Sequence, residues 1–396
     1  MLNFEYYAPT KVIFGKATET VVGQEIKKYG GKRVLIHYGS ESARRSGLLD
    51  RVEESLRQAD IAFTTLGGVK PNPRLSKVRE GIELAKRENI DFLLAVGGGS
   101  VIDTAKAIAH GRANPDIDIW DFWLGKKKVE KTTPVGVILT IPASGSETSD
   151  SAVLTDETIL QKRGLNTDYN RPVFAIMDPT LAATLPRRQV ACGVTDILMH
   201  TLERYFNPIQ GNETTMQLAE SVLRVTIANG PAVVDNPGDY DAMSEIMWCG
   251  SLSHNGLTGL GGAKGLSVHP VSFALSEKFD IIHAEALSAL WCSWARYVCK
   301  VHPENEKLFA RFARSVWDIA EPNIHKAANA GIDASEAYFK SLGMPVSIGA
   351  LSCGVQDAAG VEDLAARVSY HGTRRVGTLV SLDHEALREI FEMANH

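Results

Sequence analysis

Asp196 and His200 stand four residues apart in the run Val194-Thr195-Asp196-Ile197-Leu198-Met199-His200. Residues at that spacing share one helix face, so a carboxylate and an imidazole can grip one cation. His269 and His283 follow, fourteen residues apart. One acid and three imidazoles make a mixed oxygen and nitrogen donor set for a divalent metal. An acid and an imidazole four apart also occur as an ordinary helix salt bridge, and the long gap to His269 and His283 leaves their placement open. His254, His302, His325 and His371 show no comparable grouping and read as structural.

A second chemistry sits in three loops. Gly97, Gly98, Gly99 and Ser100 lie between an apolar stretch and a helical one. Glycines let backbone N–H groups approach a phosphate closely, and a helix N-terminus adds a favourable field. Ser100 is expected to cap that helix, with Asp103 in its first turn. Thr140, Ser144, Ser146, Thr148 and Ser149 place five hydroxyls within ten residues, suited to phosphate, ribose or a carboxamide. The third loop is Gly39-Ser40-Glu41-Ser42. Each loop also reads as a plain turn. All three follow apolar runs, at the strand ends where ligands of open parallel sheets bind. A metal in the same chain as a nucleotide site points to redox chemistry on a polarised oxygen.

The elements that must position these residues alternate in the first half. Arg33 to Tyr38, Asp91 to Val96, Val135 to Ile141 and Val173 to Met177 read as strands, and Leu48 to Gln58 and Val101 to His110 as helices. Strands apolar throughout and separated by helices imply a parallel sheet covered on both faces. From Leu185-Pro186 onward, helical periods dominate, as in Met216 to Ile227 and Ala284 to Val298. The expected division is an α/β domain over residues 1–185 and a helical domain over 186–396. Trp120, Phe122 and Trp123 either wall an apolar substrate pocket or pack a domain edge.

Bulk properties exclude several classes. The 396 residues suffice for two domains. A net charge of −5, from 42 basic and 47 acidic residues, gives no reason to expect nucleic acid or anionic membrane as a partner. Met1 to Tyr7 lacks a basic segment followed by an apolar run, so no signal peptide is expected. No stretch is apolar enough for a membrane span. The five scattered cysteines form no C-x-x-C pair, which fits reduced thiols and a cytoplasmic setting.

Taken in order along nearly the whole chain, the motifs resemble those of the iron-containing (group III) alcohol dehydrogenases. More narrowly they are similar to the butanol dehydrogenase branch, which includes NADPH-dependent aldehyde reductases. The matching stretches are Tyr7 to Gly15, Pro71-Asn72-Pro73, Ala95 to Lys106, Thr140 to Glu147, Gly193 to His200, Asn255-Gly256 and the His269…His283 spacing. The resemblance implies a Rossmann-like dinucleotide-binding α/β domain followed by an all-α metal-binding domain, the dehydroquinate synthase-like architecture. It implies Asp196, His200, His269 and His283 as ligands of one divalent metal, Fe2+ or Zn2+. Gly97 to Ser100 become the pyrophosphate loop, and Asn72, Thr140, Ser144 and Lys162 line the cofactor site. Gly39 stands where NAD-preferring relatives often carry an aspartate, which with Ser40, Ser42 and Arg44 leans towards NADP. Glu41 opposes that inference by charge.

The implied activity is hydride transfer between NAD(P)H and a short- to medium-chain aldehyde or alcohol, in a homodimer. Family members commonly carry a further histidine four residues after the third ligand; here it is Phe273. Ala284-Glu285-Ala286 also lacks the glycine usually found there. Two other functions remain open: a polyol (glycerol-type) dehydrogenase of the same superfamily, or a nucleotide- and metal-binding protein whose catalysis is weakened at Phe273.

Overall fold

The computed structural model describes residues 1–209 and 211–396. Contacts divide the chain into two compact units. One holds Tyr7–Leu185 and Pro237–Asn255; the other holds Met1–Tyr6, Pro186–Asn236 and Gly256–His396. The sequence division at Pro186 reappears, but Pro237–Asn255 packs with the sheet rather than with its helical neighbours in sequence.

Eight strands occur among the described residues: β1 (Lys11–Phe14), β2 (Arg33–Tyr38), β3 (Ala62–Leu66), β4 (Phe92–Gly97), β5 (Val135–Leu139), β6 (Ser151–Asp156), β7 (Gln161–Asn166) and β8 (Phe174–Met177). Six form one sheet in the order β1-β8-β5-β4-β2-β3, with every pair parallel. β6 and β7 form an antiparallel hairpin. The strand order reverses at β2 and β4, so the loops after Tyr38 and Gly97 flank a topological switch point.

The apolar runs are explained by alternation. Leu35, Leu93, Ala95, Val137 and Ala175 face a core with Val78, Ile102 and Ile108. Val34, Ile36, Phe92, Leu94, Ile138 and Ile176 face the opposite core with Val22, Ile26, Val52 and Leu56. Side chains of a strand point alternately to the two faces, and both faces here are covered.

The helices of this first stretch are α1 (Val22–Lys28), α2 (Ser42–Arg45), α3 (Leu48–Gln58), α4 (Leu75–Arg87), α5 (Gly99–Ala113) and α6 (Ile119–Trp123). Then come α7 (Arg187–Tyr205), α8 (Glu213–Asp235), α9 (Tyr240–His254), α10 (Val268–Phe279) and α11 (His283–Val301). α12 (Glu306–Val316), α13 (Ile324–Ser341), α14 (Ala358–Ser369) and α15 (His384–Ala394) complete the chain. Trp120, Phe122 and Trp123 are buried in the sheet core, where Trp123 Nε1 donates to the Ala152 carbonyl at 3.1 Å. They are core packing, not a pocket wall.

In the helical unit, Phe206 anchors an aromatic cluster, stacked on Phe309 at 4.3 Å between centroids and ringed by Trp291, Trp294 and Phe312. α7 is buried on nearly all sides, as expected of a central helix. No helix among the described residues is long and apolar enough to cross a membrane.

Candidate metal centre and nucleotide loops

α7 carries Asp196 and His200 on one face, α10 carries His269 in its first turn, and α11 begins at His283. Donor atoms of Asp196, His200 and His269 all lie within 4.8 Å of one another, and all three residues are buried. His200 Nε2 stands 3.6 Å from Asp196 Oδ1, and His269 Nε2 stands 4.0 Å from the same oxygen. Ligands about 2 Å from a shared tetrahedral ion are separated by comparable distances. His283 lies outside this tight trio but adjoins it, its ring centroid 5.2 Å from that of His269.

The surroundings of His269 fit a metal. Its Nδ1 contacts Glu203 Oε1 at 3.0 Å; the carboxylate only accepts, so Nδ1 carries the proton and Nε2 the lone pair. Nε2 is buried and has no hydrogen-bond partner among the described residues. A buried lone pair aimed at a carboxylate and a second imidazole is costly unless a cation meets it.

Glu203 also accepts backbone N–H bonds from Ser267, from Val268 at 2.6 Å and from His269 at 2.7 Å. It thereby caps α10 and orients the imidazole at once. Sequence reading passed over Glu203. The signal was present: 196, 200 and 203 are i, i+4 and i+7 on one helix face.

Phe273 contacts the His283 ring at 5.8 Å between centroids, so an apolar ring occupies the position of the family histidine. Glu285, in the segment after His283, forms a bidentate pair with Arg188, Nε–Oε1 at 2.5 Å and Nη2–Oε2 at 2.8 Å. The pair ties the start of α7 to the start of α11, and so His283 to the helix bearing Asp196.

The nucleotide loops are built differently. β4 ends at Gly97, Gly98 is the N-cap in extended backbone, and α5 starts at Gly99. Ser100 is therefore inside the helix, not its cap, and Asp103 lies beyond the first turn. A helix leaves its first N–H groups without intrahelical partners, and a glycine cap has no side chain to accept from them. A Cβ on Gly98 would sit 2.8 Å from Ile141 Cβ, and one on Gly99 would strike Ser144 Oγ. Both glycines are needed for the close approach of the loop at 140–149, and the same bare backbone forms a cradle fit for a pyrophosphate.

Thr140, Ser144, Gly99 and Ser100 are partly exposed at this cradle. Asn72, with positive φ, accepts from Lys162 Nζ at 3.0 Å, which joins the turn before α4 to β7. Gly39 begins a loop in which the Ser40 and Ser42 hydroxyls lie 3.0 Å apart. The Gly68 N–H donates to the Gly39 carbonyl at 2.7 Å. Glu41 pairs with Arg44 at 3.7 Å, which offsets its charge.

Two expected cofactor residues bond within the protein. Ser149 is fully buried, with its hydroxyl turned to the backbone of Ser151. Asp103 is half-buried and receives the Ser146 hydroxyl at 2.6 Å and the Val153 N–H at 2.9 Å; desolvation pushes its carboxyl above the usual range. Both brace the loop from beneath.

Comparison with known proteins follows this geometry. The iron-containing alcohol dehydrogenase model matches residues 9–179, and the C-terminal model of the Fe-containing alcohol dehydrogenase family matches 190–394. NADH-dependent butanol dehydrogenase A of Clostridium acetobutylicum is 38% identical over 393 residues, covering 99% of each chain. The NADPH-dependent aldehyde reductase YqhD of Escherichia coli is 32% identical, covering 100% of each. The crystal structure of NADH-dependent butanol dehydrogenase A from Thermotoga maritima superposes with a TM-score of 0.93 at 33% identity, covering 100% of this chain and 99% of that one.

Proposed function

The chain belongs to the iron-containing alcohol dehydrogenase family and is an NAD(P)-dependent oxidoreductase; we propose that it reduces short- to medium-chain aldehydes, with NADP as the preferred nucleotide. The observation that carries this reading is the buried His269 Nε2 converging with Asp196 and His200. Asp196, His200, His269 and His283 hold the divalent cation, Fe2+ or Zn2+, and Glu203 fixes the orientation of His269. The backbone of Gly97, Gly98, Gly99 and Ser100 receives the pyrophosphate. Thr140, Ser144, Asn72 and Lys162 orient the nicotinamide end.

When bound, the nicotinamide supplies or accepts the hydride and the divalent cation supplies a Lewis acid beside the carbonyl oxygen. The protein contributes orientation and a dry, polar setting. Phe273 has no proton to give, so the chain has no side-chain proton relay at that position and presents an apolar surface there.

The NADP preference rests on Gly39 in place of a carboxylate, on the Ser40 and Ser42 hydroxyls, and on the neutralisation of Glu41 by Arg44. A homodimer is part of the proposal, supported by the exposed apolar side chains of Leu2, Phe4, Tyr6, Tyr7 and Phe14 near the chain start. So is a cytoplasmic location, supported by five cysteines without a disulfide.

The test is NADPH oxidation by the metal-loaded protein with propanal and butanal, beside glycerol oxidation with NADP. Turnover of butanal above glycerol is expected. Faster glycerol oxidation points to the polyol reading. Metal and NADPH binding with no turnover of any of the three points to a binding protein.

A further inference from the structure

Lys106 is fully buried on α5, one turn beyond Asp103. Its Nζ donates to the Ser146 carbonyl at 2.7 Å, Ser146 Oγ at 2.9 Å, the Ser151 carbonyl at 2.8 Å and the Ser149 carbonyl at 3.3 Å. Ser146 Oγ in turn donates a hydrogen bond to Asp103. Three backbone carbonyls of one short segment thus converge on one ammonium, which is how a loop is drawn around a cation. Burial lowers the Lys106 pKa to about 8, against the opposing charge of Asp103, Glu147 and Asp150. An apolar residue of similar volume would avoid that desolvation.

We propose that Lys106 is the positioning residue of the cofactor loop, holding the segment 144–151 so that Ser144 stays against the N-terminus of α5. The outer side of the same loop is pinned by α9. Ser251 Oγ donates to Glu147 at 2.5 Å, Thr148 Oγ1 to the Ser251 carbonyl at 3.3 Å, and His254 Nδ1 to the Ser144 carbonyl at 2.8 Å. α9 approaches so closely that a Cβ on Gly145, which has positive φ, would lie 2.5 Å from the Gly250 carbonyl oxygen. The loop is therefore gripped between an ammonium beneath and a helix end above, while Thr140, Ile141, Ala143 and Ser144 stay partly exposed. Without Lys106, the Ser146 and Ser149 carbonyls lose the ammonium, the Ser151 carbonyl is left with the Ser149 hydroxyl, and the loop relaxes away from the glycine cradle.

This role rests on the proposed nucleotide site, and the test separates the two. Lys106→Met and Ser146→Ala are compared with Gly98→Ala, which fills the cradle itself, in the metal-loaded enzyme. Lys106→Met is expected to raise the NADPH KM about tenfold or more, with kcat at saturation changed less than about threefold. Metal content and aldehyde KM should stay at the wild-type level. Ser146→Ala, which removes one hydroxyl and is the milder change, should raise the NADPH KM in the same sense if Lys106→Met fails to fold. Unchanged NADPH KM in both folded variants, with a raised KM in Gly98→Ala, overturns the role of Lys106 and leaves the nucleotide site standing. Unchanged NADPH binding in Gly98→Ala as well removes the site reading and the proposal with it. A parallel fall in kcat and metal content would mark Lys106 as merely structural.

Discussion

The candidate metal centre and the proposed nucleotide loops are built in opposite ways. At the first, side chains from two helices converge: Asp196 and His200 of α7 and His269 of α10 form a donor set for a cation, with Glu203 behind them. At the second, side chains are withdrawn. Gly98 and Gly99 leave bare backbone, while the polar side chains of Asp103, Ser146 and Lys106 turn inward to hold the loop. A cation needs localised lone pairs, which only side chains and carbonyls supply. A pyrophosphate spreads its charge and is well served by N–H groups at a helix start. A substitution at the metal centre therefore removes chemistry, whereas one at the loops removes shape.

That contrast can be broken at its strongest point. Asp196→Ala should abolish metal retention and lower aldehyde turnover by about 10³-fold, since loss of Lewis-acid stabilisation is worth several kcal/mol. Elemental analysis beside NADPH oxidation measures both; a metal-replete Asp196→Ala protein sinks the assignment. Glu203→Gln tests whether the carboxylate behind the ligand matters as much as a ligand. It should weaken metal affinity by about 10–100-fold and lower the melting temperature through loss of the α10 cap, while NADPH binding stays unchanged. A loss of NADPH binding instead would blur the division between the two sites.

Acid should single out the sheet unit. Burial lowers His37 to about 3 and His110 to about 4. Both are neutral when folded and charge only on unfolding, so the unfolded chain binds more protons between those values and about 6.5. Stability conferred by the sheet unit is therefore expected to fall as pH drops below about 6.5, by about 1.4 kcal/mol per pH unit for each histidine. Hydrogen exchange of the β4 and β5 amides at pH 7 and pH 5 checks this; equal protection at both pH values counts against it. The neighbours of His110 place a proton on Nε2. Asn170 Nδ2 donates to the Asp150 and Leu165 carbonyls, so its oxygen faces His110 Nε2, which must donate, at 2.8 Å.

The smallest effect is expected at Phe273. Phe273→His should raise aldehyde turnover by roughly threefold to tenfold, below the full worth of a well-placed proton relay. The gain should vary with pH. A turnover unchanged across pH would mean that the apolar ring is an adaptation of the pocket and that no relay is missing there.

Much of the sheet was legible because buried parallel strands are continuous apolar runs. β2 has the expected limits, and β4, β5 and β8 differ by one or two residues at an end. The edge strands β1 and β3 and the hairpin β6–β7 were missed. β3 is half-exposed and carries Thr64 and Thr65, and β7 is largely polar, so neither shows the buried pattern. α5 begins earlier than expected because glycines without side chains can still start a helix. α9 reads as one more amphipathic segment of the helical half, and nothing in its own residues tells which unit it joins.

By itself the sequence determined which residue types were available: an acid and an imidazole at helical spacing, two more histidines, and a glycine run after an apolar strand. It did so because helix and strand periods are local properties of the chain. Tertiary structure alone decided that His269 meets Asp196 and His200, that Glu203 stands behind it, and that Asp103, Ser149 and Lys106 face inward. Those outcomes depend mainly on contacts between residues far apart in the chain, such as Lys106 with Ser146, Glu203 with His269 and Asp196 with His269. Local propensity carries no information about such pairs until the core has packed.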